Sequence, residues 1–285
     1  MKRLLLLALI LSLTGCAAPQ AAPQSQPPAV EAMAAVPSDT DAARLGIAAV
    51  ANIAKSMHAT YDFPGYAHTE VTVAAVVVDS RGVIRQCAID GISAAIPFDA
   101  TGALQLASGT MFPSKCSLGQ GYGMHKASPL GTEWAEQAAD FAAACVGKTV
   151  DELQPGDTLT SVTIATDTLR QAVCRAAENA AAPVRAGDTL VLACRAVMED
   201  SRSGCIDDGT PGLACLRAAA AAFTVRGGAV TAEAGCAVLS NLPFTATGRI
   251  DCDISLGLSV LSDTLKHTDI TAEEMAELWE ISPKN

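Results

Sequence analysis

Pro97-Phe98-Asp99-Ala100-Thr101-Gly102 recurs as Pro243-Phe244-Thr245-Ala246-Thr247-Gly248, five identities in six at an offset of 146 residues. The same offset carries Gly82 to Gly228 without a gap. It also sets the apolar run Val71 to Val78 against the alanine-rich run Arg217 to Thr224, and Leu45 against Val191. A hexamer can recur by chance in an alanine-rich chain. One offset held over about sixty residues implies a diverged internal duplication instead.

Working outward from the hexamer, each copy reads as a β-hairpin. Val71 to Asp79 is rich in β-branched residues, Ser80-Arg81-Gly82 has turn chemistry, and Val83 to Asp90 alternates. A further pair of short strands is expected to flank the Gly102 turn. Leu45 to Lys55 fits either a strand or the first turns of a helix, because periodicity alone does not separate the two over so short a run.

Beyond the hairpin, copy one runs through Gly119-Gln120-Gly121-Tyr122-Gly123-Met124. These glycines lack the spacing of a dinucleotide fingerprint and predict a flexible loop. A helix follows from about Thr132, its expected N-cap, to Cys145, with Trp134, Ala138, Phe141 and Cys145 on one stripe. A second helix spans about Asp167 to Ala181, with Leu169, Val173 and Ala176 on one face. The expected fold is therefore α+β, an antiparallel sheet with helices over residues 43–183. A degenerate copy of the sheet part follows over 187–285, truncated before both helices, with Trp279 near the position of Trp134.

The amino terminus bears on location. Met1-Lys2-Arg3 is positive and Leu4 to Leu13 is apolar, the length of a signal-peptide h-region and too short to span a bilayer. Leu13-Thr14-Gly15-Cys16 resembles the bacterial lipobox. The resemblance implies that residues 1–15 are a signal peptide and that Cys16 carries acyl chains such as palmitate. Acylation would anchor the chain outside the cytoplasm, on the cell membrane or an outer membrane. Residues 16–42 are rich in Ala, Pro, Gln and Ser, a composition of flexible linkers that cannot build a core.

The formal net charge of −11 argues against nucleic acid and against an electrostatic hold on anionic lipid, both of which need clustered Lys or Arg. Membrane attachment then rests on Cys16, and any envelope or redox partner is left open. Nine cysteines remain after Cys16, so complete pairing is excluded. Some form disulfides in an oxidising compartment, or all pack as small hydrophobes. No C-x-x-C occurs, and His58, His68, His125 and His267 have no ligand-like spacing, so no metal site is expected. Asp207-Asp208-Gly209 reads as an acidic turn, short of a calcium loop. No nucleophile elbow or Cys/His pair is present, and no catalytic residue is assigned.

Tyr122 to Trp134, followed by Val146-Gly147-Lys148-Thr149-Val150-Asp151-Glu152-Leu153, resembles exported bacterial proteins related to the FMN-binding-domain family. The likeness covers roughly residues 44 to 182. It implies that Thr160-Ser161-Val162-Thr163-Ile164-Ala165-Thr166 is the strand-to-helix turn where flavin-carrying members join a Thr hydroxyl to the FMN phosphate. Thr163 would be the acceptor and Ser161 a neighbour in the turn. Thr166 would be either a second flanking group or the helix N-cap, near backbone N–H groups suited to a phosphate. In this chain Ser161-Val162 stands where those members carry Gly-Ala. Two functions are thus expected in turn: an envelope lipoprotein with a non-enzymatic binding or structural role, or an electron carrier with FMN on Thr163.

Overall fold

Three turns of the chain close in the same way, and they set the lengths of its longest strands. Asp79 N donates to Val83 O at 3.0 Å, Asp99 N to Ala103 O at 3.0 Å, and Thr245 N to Arg249 O at 2.8 Å. The fourth residue of each is Gly82, Gly102 or Gly248, at φ of 77°, 78° and 68°, a left-handed backbone that glycine adopts without steric cost. The first residue caps the turn. Asp79 Oδ1 accepts from the N–H groups of Arg81 and Val83, and Asp99 Oδ1 from those of Thr101 and Ala103. Thr245 Oγ1 accepts from Arg249 N at 3.1 Å, so the one mismatch in the repeated hexamer still supplies a capping oxygen.

The computed structural model describes residues 30–31, 42–153, 160–252, 254 and 265–269. The strands are β1 (Val30–Glu31), β2 (Ala43–Asn52), β3 (Gly65–Val78), β4 (Ile84–Phe98) and β5 (Met111–Pro113). After the helices come β6 (Ala182–Val184), β7 (Thr189–Met198), β8 (Gly212–Arg226), β9 (Ala229–Phe244) and β10 (Leu265–Asp269). The helices are α1 (Lys115–Leu118), α2 (Trp134–Cys145) and α3 (Thr166–Glu178). One antiparallel sheet has the order β4-β3-β2-β6; the other has β1-β7-β8-β9-β10, with β5 also on β7. Leu45 to Lys55 is thus mainly strand, within β2. The flanking strands expected at Gly102 reduce to single bridges, Phe98 with Leu104 and Phe244 with Ile250. The presumed glycine loop is two 3-10 turns, Gly119–Tyr122 and Met124–Lys126. The expected signal peptide, Cys16, Trp279 and most of the expected linker lie outside the described residues; within that linker Val30–Glu31 is not free chain but strand β1, paired with Leu192 and Val191 of β7.

The sheets face one another over a shared core that draws on both halves of the chain: Leu45, Val73, Ile92 and Phe98 from one, Leu192, Ala220, Val238 and Phe244 from the other. Burial of these side chains on both inner faces is the main stabilising term, about 1.5–3 kcal/mol for each large one. The other face of the first sheet carries Val50, Ala74, Val76 and Ile89 and receives α2 and α3 through Phe141, Leu169 and Val173. The result is three layers, helix on sheet on sheet, an α+β fold.

Side-chain facing corrects the constant offset of 146. Among residues facing the shared core, Leu45 and Leu190, Val73 and Ala220, and Ile92 and Val238 hold like places in the strand pairing of their sheets, at offsets of 145, 147 and 146. Leu45 therefore does not correspond to Val191, nor Val71 to Arg217. A one-residue slip in a strand turns every side chain to the opposite face, so the uniform offset put two of the three strands inside out.

At one end of the sandwich Phe98 and Phe244, the same position of the two hexamers, stack with ring centroids 4.2 Å apart and planes 6° from parallel. Each ring lies over a glycine on the neighbouring strand. A Cβ on Gly65 would come within 2.4 Å of the Phe98 ring, and one on Gly212 within 2.1 Å of the Phe244 ring. Crossed hydrogen bonds surround the stack: Ala59 N to Gly248 O and Gly204 N to Gly102 O, both 2.7 Å. Ile250 N donates to His58 Nδ1 at 2.9 Å and Leu104 N to Ser203 Oγ at 3.0 Å. Deeper in, Thr69 and Ser240 hydroxyls meet between the sheets at 2.8 Å.

Phe98→Ala and Phe244→Ala are each expected to cost about 3–5 kcal/mol in urea unfolding. Because both changes empty one stack, the double variant should lose clearly less than the sum of the two. Additive losses would mean that the rings act separately.

Candidate functional site

The turn singled out for flavin attachment is held by one buried side chain on α2. Gln137 is 1% exposed, and its Oε1 accepts from Thr163 N at 2.7 Å, Thr163 Oγ1 at 3.0 Å and Ile164 N at 3.3 Å. Its Nε2 donates to Ser128 Oγ at 3.2 Å, and that hydroxyl lies 3.4 Å from Thr163 Oγ1. A carboxamide with both ends occupied positions the chain and does not take up a proton. Thr163 and Ser161 are exposed, while Thr166 is half-buried. Thr166 is the first residue of α3 and does not cap it: Ala165 is the N-cap, and no side chain bonds there. The structure thus brings Thr163 together with Gln137 and Ser128, leaving Ser161 and Thr166 outside that cluster's hydrogen bonds.

The same correction applies to α2. Its N-cap is Glu133, in a reciprocal capping box with Glu136, and the Thr132 hydroxyl is buried without a partner among the described residues. Glu133 also gathers the preceding segment, accepting from Met124 N at 2.9 Å and from His125 Nδ1. Burial pushes its carboxyl up, but His125 and the backbone N–H groups of His125 and Met124 outweigh that and hold it below the ordinary glutamate value. The segment Tyr122 to Trp134 is thereby wrapped around an anion.

A second polar cluster was not anticipated from the sequence. Glu70 on β3 and Ser93 on β4 are cross-strand partners on the outer face of the first sheet. Glu70 Oε1 accepts from Lys55 Nζ at 2.7 Å and Ser93 Oγ at 2.8 Å; Oε2 accepts from Lys115 Nζ at 2.9 Å. Lys115, the first residue of α1, is 6% exposed, and its ammonium lies 4.8 Å from the centroid of the Trp134 ring and 5.4 Å from that of Tyr122. The two aromatic residues therefore both face a cation. Burial pushes the Glu70 carboxyl up, but His68, Lys115 and Lys55 together hold it well below its usual range.

Ser93, His68 and Glu70 contain the residue types of a nucleophilic triad in a different arrangement. A triad base uses one ring nitrogen for the nucleophile and the other for its carboxylate. Here His68 Nε2 faces both Ser93 Oγ at 3.0 Å and Glu70 Oε1 at 3.3 Å. With Ser93 donating to Glu70, Nε2–H of His68 donates too, and a carboxylate this acidic is a weak base. The cluster neutralises a buried lysine and does not activate a hydroxyl. Near Asp90 on β4, burial and then the Asp90 carboxylate push the thiols of Cys116 and Cys194 up, so they stay protonated. Among the described residues no group of three or more His, Cys, Asp or Glu converges as metal ligands would, and no helix is long and apolar enough to cross a membrane.

Glu70→Gln is expected to cost about 3 kcal/mol, because Lys115 keeps its burial and loses its counter-charge. A folded-state value below 4.5 also means that the Glu70 contribution is full above pH 4.5 and fades as pH falls. Urea unfolding from pH 7 to pH 3 should show a steeper acid loss in the parent than in the variant; parallel curves would deny the pairing. No family model, curated protein or solved structure matches the chain.

Proposed function

We propose that this chain is an exported lipoprotein, held to a membrane by acyl groups on Cys16, whose folded part is a binding or structural module of the cell envelope and not an enzyme. The observation that carries this reading is Leu13-Thr14-Gly15-Cys16 at the end of a ten-residue apolar run after Lys2-Arg3. The state of the polar clusters supports a non-enzymatic body: Glu70 is matched by Lys115 and Lys55, and Gln137 is filled by Thr163, Ile164 and Ser128. The part of the linker between Cys16 and β1 would let the body stand off the bilayer.

Part of the reading is that β7-β8-β9 is a degenerate, truncated copy of β2-β3-β4. The matched turns, the stacking of equivalent phenylalanines and the crossed backbone bonds of Ala59 and Gly204 all support it. So does a register shift at the same place in both hairpins, Val77/Val78 and Thr224/Val225.

A second reading, FMN esterified to Thr163, follows from the family resemblance and is favoured by one observation. Thr163 is exposed three residues ahead of α3, whose N-cap has no side-chain bond. The site meets the need for an accessible acceptor but falls short on activation, since the hydroxyl is bonded to an amide and not to a base. Intact mass and peptide mapping of the protein from its own membrane are expected to show acyl groups on Cys16 and an unmodified Thr163. Cys16→Ala should abolish acylation and release the protein from the membrane. An FMN adduct that appears with a coexpressed flavin transferase and vanishes in Thr163→Ala would replace the first reading with the second.

A further inference from the structure

Two cysteines far apart in sequence meet where helix α2 joins the first sheet. Cys87 lies on β4 and Cys145 is the last residue of α2; both are fully or nearly fully buried in the helix-to-sheet core, beside Phe141 and Ile89. Cys145 is the first of the groups that push the Cys87 thiol up, so the two thiols are neighbours in that core. The backbone fixes this approach independently. Gly147 N donates to Ile84 O and Ile84 N to Lys148 O, both at 2.8 Å, so the end of α2 is tied to the start of β4 within three residues of each sulfur. Neither side chain is free to turn to solvent without opening the seam.

The geometry points to a structural disulfide between Cys87 and Cys145 in the mature protein, clamping α2 onto β4. It rests on the exported location in one respect, since disulfides persist in oxidising compartments and are reduced in the cytosol. Formation joins the two sulfurs and removes two protons and two electrons. The electrons reduce the disulfide of a thiol oxidant, an exported oxidase or oxidised glutathione, to two thiols. One cysteine thiolate attacks the oxidant's disulfide, and the second cysteine then displaces the mixed disulfide. The neighbouring Cys145 and burial push the Cys87 thiol well up in the folded state, which disfavours that attack. Exchange therefore belongs to folding, before α2 docks. Once made, the bond is shielded from reductants by the same packing, and it closes a long loop in the unfolded chain. Cys174, on α3 and only partly buried, also neighbours Cys145 and is the competing partner.

Refolding the purified chain from denaturant in a glutathione redox buffer tests the pairing without reference to location. After alkylation and digestion, the peptides bearing Cys87 and Cys145 should be linked and lighter by two hydrogens than their reduced sum, with Cys174 alkylated. Cys87→Ser should leave Cys145 alkylated in a chain with the parent's circular dichroism. Alkylation of both cysteines in the refolded parent, or pairing of either with a different cysteine, overturns the proposal. The same map on protein taken from the membrane separates the two readings. With Cys16 acylated, the linked peptide is expected and free thiols overturn the disulfide. Absence of acylation overturns the membrane reading alone, and the refolding result then decides the pairing.

Discussion

The stack of Phe98 on Phe244 is the contact through which the two sheets meet at one end of the molecule. The chain has six phenylalanines and a core built largely of Ala and Val, so two large flat rings in one place are a substantial share of its bulky packing. Flat rings so close leave no room for side chains beneath them, and Gly65 and Gly212 are the consequence. The small residues elsewhere follow from the same constraint. Close-packed interiors tolerate neither voids nor overlap, and Ala48, Ala74 and Ala138 let a helix lie close on the sheet.

The two polar anchors have a different logic from the apolar layers. Lys115 is buried because Glu70 and two aromatic faces replace its water, and Glu70 stays ionised because Lys115 and Lys55 do the same for it. Gln137 closes the gap between α2 and the segment that leads into α3 with hydrogen bonds to backbone and hydroxyl. Such groups specify one arrangement of loops on a scaffold whose apolar surfaces would accept several.

What could be read in the sequence was local. The hexamer carries its own turn chemistry, and the stripe Trp134, Ala138, Phe141, Cys145 announces a helix whose apolar face is indeed buried. The register between the halves was hidden because the first connection is two residues longer in the second half and the next turn one residue shorter, so a uniform offset paired Leu45 with Val191 when Leu190 faces the core. Thr132 resembles a cap as well as Glu133 does until the reciprocal bonds with Glu136 are seen. Glu70 with Lys115, and Cys87 with Cys145, depend on strands and helices meeting across 45 and 58 positions, and no periodicity reports that.

The second sheet takes edge strands from the first half of the chain. β1, ahead of the first meander, pairs with β7 of the second; β6, ahead of the second, pairs with β2 of the first; and β5 crosses to β7 before α1 returns to β4. As the polypeptide grows from its amino terminus, the first sheet has all four of its strands by Val184, whereas β1 and β5 wait for β7 before they can join the second. Long-range pairings of this kind close late, and unpaired strand edges invite association with other chains while they wait. Such a chain gains from being kept extended until its last long hairpin has emerged, and from then on the two halves stand or fall as one cooperative unit.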